Sequence, residues 1–489
     1  MTWRRPNSVA QRLALAGALF AGAIAPAARA QDDGQLRLMR EPFTFVDVAD
    51  AFDDEDPIDI NVHVGFLRTW QYGELQRERT CLAGGVDQYG GMCSPTWDPH
   101  RYARNWANVA HHEQSTNILN LGLDVGIFRD LMIYGRMPLI LSDDRSLGNV
   151  DTRYLTADSG GNGYPPLFTP GADGAFRSPT RGGLDYITAG LAWSIMNQHR
   201  ERELPTWVLM IEGRLNVGDP MRACQATASG PQCIAETTNS MTGLPDVDRT
   251  AGRNAGSNSG TNALRIETRA SWRTRYVEPY GGLSFQIAWP GQSDRFFLPA
   301  NNIQGFINDR PPILGALTGG LAIIPWENRG AWQRFAIDVR FMGTYVSEGH
   351  GYSPLYDALG TSSNPYLDEP VLEGQPDGTT DLRQANFYGL TDMQSHAEIA
   401  GMLGVEMQAA RYVKFGLGFA VWYVSPYMIT FADACNPNVS APAGDPRIGT
   451  CRTGIINPHH RSAIDLPGQR FRMAEQVRLD LFINAQAMF

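Results

Sequence analysis

Twelve stretches of this chain alternate apolar and polar side chains, and the connections between them alternate short and long. The first stretch reads Ile58-Asp59-Ile60-Asn61-Val62-His63-Val64-Gly65-Phe66, which puts every apolar residue on one face and every polar one on the other. Period two is the signature of an extended strand with one greasy side. The pattern recurs with apolar rows such as Leu119-Leu121-Leu123-Val125-Ile127, Phe335-Ile337-Val339-Phe341-Tyr345 and Val413-Phe415-Leu417-Phe419-Val421-Tyr423. The eighth stretch, around Leu317, Leu321 and Ile323, differs from the others because both of its faces are apolar or small.

Connection length decides the topology. Tight turns are expected near 128–130, 198–205, 274–276, 325–331 and 409–411, and long connections over roughly 73–112, 143–183, 218–262, 290–312, 348–394 and 425–470. A soluble sandwich has no physical reason to gather every long loop at one end, and such loops are uncommon in compact domains. A barrel that crosses an outer membrane does: it has short periplasmic turns, long external loops and an even number of strands of about ten residues. The expected fold is therefore all-β, a transmembrane antiparallel up-and-down β-barrel of about 12 strands. On the lipid-facing rows Trp193, Trp207, Trp272, Phe335 and Phe489 lie near the short turns or the terminus. Trp70, Trp289, Tyr345 and Tyr423 lie near the long loops. These are two girdles at opposite ends, as interfacial aromatic residues prefer.

Residues 1–30 have a basic start (Arg4, Arg5), an apolar run from Leu13 to Ala25 and the small-residue ending Ala28-Arg29-Ala30, the pattern of a signal peptide. The expected organisation is then 1–30 signal peptide, 31–57 a periplasmic amino-terminal segment or plug, and 58–489 the barrel. Within 31–57, Pro42 to Phe52 is rich in apolar residues and Asp53 to Asp56 is acidic. The cysteines fall as three near neighbours, Cys81 with Cys93, Cys224 with Cys233 and Cys435 with Cys451, all inside long connections. Three disulfides closing loops are expected in an oxidising compartment, although six cysteines allow 15 connectivities.

The last strand, Val477 to Phe489, alternates and ends on a phenylalanine. It resembles the carboxy-terminal signal of bacterial outer-membrane β-barrel proteins, and the chain is most similar among them to the porin-like transporters. The resemblance implies location in the bacterial outer membrane, recognition of Phe489 by the barrel assembly machinery, contact with outer-membrane lipid and passage of small solutes. It also allows an amino-terminal segment that occupies the lumen and moves to admit substrate. Ala487 and Asn484 stand where that signal commonly has an aromatic residue and a glycine.

With the apolar rows facing lipid, the other rows face the lumen. They carry Arg136, Glu212, Arg214, Arg265, Glu267, Arg269, Asp338, Arg340, Glu398, Arg478 and Asp480, a charged but nearly neutral lining. Ions in such numbers need water or partners, so the interior is wet or salt-bridged. The inward glycines Gly65, Gly122, Gly126, Gly282, Gly404, Gly416 and Gly418 leave room for a plug or a solute.

The expected function is an outer-membrane channel or passive transporter for small solutes. The alternative is a closed barrel displaying disulfide-clipped loops as a receptor or adhesin. Catalysis is not expected, since neither His112 with Ser115 and Asn117 nor His396 with Ser395 forms a phospholipase-like motif. The adjacent pairs His111-His112 and His459-His460 read as polar loop residues, with His112 at the edge of a loop. No metal and no cofactor is expected, and a net charge of -10 excludes nucleic acid as a natural partner.

Overall fold

The computed structural model describes residues 43–51, 59–82, 86–92, 105–156, 164–238, 240, 245–251, 254–291, 304–368, 371–373, 383–440, 442–444, 448 and 451–489. The signal peptide, the acidic run after Phe52 and the pairing of Cys81 with Cys93 lie outside these residues. Twelve antiparallel strands make one closed sheet: β1 (Ile60–Arg79), β2 (Asn105–Phe128), β3 (Leu131–Gly148), β4 (Tyr186–Met196), β5 (Thr206–Asn216) and β6 (Thr261–Ser271), followed by β7 (Val277–Pro290), β8 (Leu314–Asn328), β9 (Gln333–Val346), β10 (His396–Ala410), β11 (Val413–Val424) and β12 (Phe471–Met488). Each strand pairs with its neighbour in sequence, and β12 returns to β1 with Val64 opposite Ala485 and Trp70 opposite Leu479. At the closing end Ile60 and Phe489 exchange two backbone hydrogen bonds of 2.9 Å. Closure removes the sheet edges that would otherwise present unpaired backbone to lipid.

The register fixes which rows point out. Leu191, Trp193, Leu283, Phe341, Leu403, Phe415 and Leu417 are exposed, while their alternates Ala192, Ala336, Ala400 and Ala420 are buried inside. A contiguous belt of exposed Leu, Ile, Val and Phe encircling a protein is unstable against water and stable against hydrocarbon.

Two of the expected long connections, 73–112 and 143–183, are shorter than the sequence implies. β1 continues to Arg79, β2 starts at Asn105 and β3 runs to Gly148, so much of 73–79, 105–112 and 143–148 is strand. His112 is accordingly not at a loop edge but within β2, opposite Gly73. The reason is solvation. Arg68 lies on the outward row with its guanidinium over the Trp70 ring at 4.8 Å, which places the membrane boundary there. Beyond it the outer side of the wall faces no lipid and needs no apolar row, and so the period-two signal is lost. Strands β1, β2, β3 and β12 have 20, 24, 18 and 18 residues, against 11 in each of β4, β5 and β6, so one side of the barrel wall is tall.

At the long-loop end the connections pack into a layer with its own core. Leu155, Leu167, Phe168 and Phe176 come from the β3–β4 connection, Leu355, Leu359 and Phe387 from β9–β10, and Ile429 and Ile464 from β11–β12. They meet Leu75 and Phe471 of the tall wall. Two disulfides clip this layer, Cys224 to Cys233 across a small sheet and Cys435 to Cys451. Arg181 and Asp357, both buried, join two of the loops through contacts of 2.6 and 3.0 Å.

Candidate functional site: the barrel interior

The inward rows change character along the axis. Near the short turns they combine small or apolar residues, Met132, Ala192, Val208, Ala322, Ile324 and Ala336, with the buried charges Glu278, Arg334 and Lys414. Residues 43–51 lie against this ring, burying Phe43, Phe45, Val46 and Ala49. The apolar inner face of β8 is part of the ring, and this explains why that strand is apolar on both sides. Phe45 packs on Tyr280 with ring centroids 4.6 Å apart, and the Arg269 and Arg340 guanidinium groups lie 4.7 and 5.0 Å from the Phe45 ring.

Polar contacts fix the segment's register. Lys414, the only lysine in the chain, donates to Asp47 at 2.8 Å. Arg269 Nη1 donates to the Phe45 carbonyl at 2.8 Å, the Ala51 amide donates to the Arg129 carbonyl at 2.9 Å, and Arg200 reaches Asp50 at 3.2 Å. Gly126 makes the approach feasible, since a Cβ there would sit 1.8 Å from the Asp50 carbonyl oxygen.

Above the segment the inward rows are ionic. Arg136 pairs with Asp124, and Asp124 also takes His63 at 2.5 Å. Glu267 bridges Arg265 at 2.7 Å and Arg269 at 2.6 Å. Asp338 binds Arg340 at 2.8 Å and accepts from Tyr280 Oη, which in turn accepts from Arg340 Nε at 2.9 Å. Arg214 lies 3.6 Å from Asp185 and stacks over the Tyr186 ring, also at 3.6 Å. Glu212 meets Tyr134. Arg478 joins Glu398 and Asp480, each at 3.5 Å. All eleven charged residues that the sequence suggests for the lining thus have a polar partner on their own or a nearby strand, and the structure gathers them into short chains of pairs. Several keep access to the interior space: the Arg265 and Arg136 side chains are 39% and 34% exposed, although both point inward.

With a greasy exterior, a closed hydrogen-bonded wall and an ionic interior on one sheet, the location is decided. The chain is an outer-membrane β-barrel. Its short turns are periplasmic and its loop layer external.

Inward glycines serve the barrel mainly as seats for rings and side chains. The Phe482 ring lies over Gly418, Tyr280 over Gly320 and Tyr134 over Gly190, each so close that a Cβ would collide. Gly65 and Gly122 are covered by Asn484 and Arg136. Among the described residues, Gly126 and Gly282 face the amino-terminal segment. The sequence signal for that segment's seat was the run of small inward residues near the short turns, legible once the face assignment is made.

The residues considered for hydrolysis are not brought together. His112 pairs with Gly73 and Ser115 with Trp70, so they lie on opposite faces of β2, and Asn117 donates to Ser142 at 2.8 Å. The His396 ring stacks on Tyr427 at 3.8 Å and its Nδ1 faces the Gln394 carbonyl. In the external layer, burial pushes the Asp465 carboxyl up to about 8, against the pull of amide donors from Arg461 and Ala432.

No protein-family model and no curated protein matches the chain. Among solved structures it is similar to a Pseudomonas aeruginosa FadL homologue at 8% identity and a TM-score of 0.31, covering 88% of this chain and 90% of that one. It is similar to an outer membrane channel from Pseudomonas putida F1 at 8% identity and a TM-score of 0.33, covering 90% and 100%. The outer membrane protease OmpT from Escherichia coli is similar at 8% identity and a TM-score of 0.26, covering 89% and 98%. Channel and protease alike appear at this level of similarity.

Proposed function

We propose that the barrel is a channel or passive transporter for small solutes, in which residues 43–51 form a plug at the periplasmic end. One observation carries this reading: residues 43–51, which are not part of the wall, bury Phe43, Phe45, Val46 and Ala49 against the inward ring near the short turns and are tied to it by a small set of polar contacts. A structure meant to be permanently shut has no need of a removable stopper, because inward side chains fill a narrow barrel by themselves. Above the stopper, Arg136, Arg214, Arg265 and Arg340 alternate with Asp124, Glu212, Glu267 and Asp338, a lining suited to small polar or ionic solutes. Assembly is proposed to use Phe489, exposed at the end of β12, as the mark read by the barrel assembly machinery.

A second reading, a closed barrel that binds a surface partner through its loops, draws support from the loop layer's apolar core and disulfides. Planar bilayers separate the two. Stepwise conductance that rises several-fold on deletion of residues 43–51 supports the channel. Persistent silence of both forms, each verified as folded, supports the receptor. In an active channel, Arg214→Gln shifts ion preference; unchanged selectivity removes Arg214 from the pathway.

A further inference from the structure

In the loop layer, the short strand Gly349–Gly351 pairs with Thr391–Met393, setting His350 directly opposite Asp392. His459 enters from the β11–β12 connection, and its ring stacks on that of His350 with centroids 3.7 Å apart and planes 7° from parallel. Both Nδ1 atoms face the same carboxylate oxygen: His350 Nδ1 lies 2.7 Å and His459 Nδ1 3.5 Å from Asp392 Oδ1. Ligand atoms from the three residues lie within 4.8 Å of one another. His350 and Asp392 are almost completely buried. Phe306 covers the His459 ring at 4.5 Å, and Asn308 donates to the second Asp392 oxygen at 3.5 Å.

A hydrogen-bonded His-Asp-His cluster would satisfy both imidazoles, but this one does not. His459 Nδ1 is buried and makes no hydrogen bond, with Asp392 Oδ1 3.5 Å away. Leaving such a nitrogen dry and unpaired is costly, whereas a cation between the three groups would take its lone pair. Two imidazoles and one carboxylate are the donor set of a divalent first-row metal, with one coordination position left for water.

From this geometry we propose that His350, Asp392 and His459 form a binding site for a zinc-class divalent cation that clamps the β9–β10 connection to the β11–β12 connection. The neighbouring His460 is not a ligand: its Nδ1 is 2.8 Å from the Ala432 carbonyl. The adjacency of His459 and His460 in sequence is thus uninformative, and the partner of His459 lies in another loop. The site is independent of whether the barrel conducts.

The test uses the full-length barrel in detergent, stripped of metal by chelation and titrated with zinc chloride by calorimetry. One zinc per chain is expected, with a rise in the protease resistance of the loop layer. His459→Ala and Asp392→Asn should each weaken binding about 100-fold or more, and His460→Ala should retain it. Cobalt in place of zinc should give the intense visible absorption of a four-coordinate ion. Heat-modifiable gel mobility verifies that each variant is folded. Failure of the folded wild-type protein to bind zinc stoichiometrically overturns the proposal, as does binding that survives intact in both His459→Ala and Asp392→Asn.

Discussion

The two ends of the barrel are closed by different means. At the periplasmic end one short segment is held by a ring of small inward residues, one lysine-carboxylate pair and a handful of hydrogen bonds. At the external end, loops from several connections share a buried apolar core continuous with the tall wall, with two disulfides and a buried Arg181–Asp357 pair. The contrast is one of cooperativity. The external layer opens only if many contacts fail together, while the inner segment is held by a shorter set of contacts. Movement is therefore expected on the periplasmic side first.

The comparison breaks most readily at Phe471, fully buried where β12 enters the loop layer and capped by the Arg77 guanidinium at 4.9 Å. Phe471→Ala should cost about 3–5 kcal/mol, opening the external layer to limited proteolysis while the barrel keeps its heat-modifiable mobility. Unchanged protease resistance would mean that the layer is not a cooperative unit. At the other end, Asp47→Asn removes the Asp47–Lys414 ion pair and should loosen the segment by roughly 1.5–3 kcal/mol. The measurement is the rate at which a Phe45→Cys probe reacts with a soluble thiol reagent. Equal rates with and without Asp47→Asn would show that the ion pair does not hold the segment.

A third effect is a pH dependence confined to the external layer. Asp465 has a folded pKa of about 8 against 3.8 unfolded, so between these values the unfolded chain binds fewer protons than the folded one. Its contribution to stability is complete below the unfolded value and is lost as pH rises towards about 8. Protease resistance of the loop layer should fall from pH 5 to pH 8, and Asp465→Asn should flatten that slope. A slope unaffected by the substitution would assign it to another group.

The wall was legible in the sequence because lipid imposes period two, and all twelve strands and five short turns follow from that constraint. Where the constraint stops, so does the signal. The upper parts of β1, β2 and β3 face no lipid and pack Leu75, Val109 and Leu147 against the loop layer, so the lipid-imposed period fades and they read as loops. β8 is ambiguous for the opposite reason: its inward face packs on protein and is as apolar as its outward one. Of the interior, the charged residues could be placed on a face by counting, but their pairing depends on register between strands, which no single strand encodes. His350, Asp392 and His459 come together only through the packing of two loops, and nothing local announces it.

Arg68 over Trp70 marks the outer edge of the hydrocarbon, and β1 continues from there to Arg79. At about 3.3 Å per residue, those 11 residues (79 minus 68) carry one flank of the protein on the order of 30 Å along the strand past the lipid tails. The rampart is one-sided, because its neighbours across the barrel stop lower. The wall thus stands unevenly above the hydrocarbon, with one high flank at β1, β2, β3 and β12 and a low one at β4, β5 and β6.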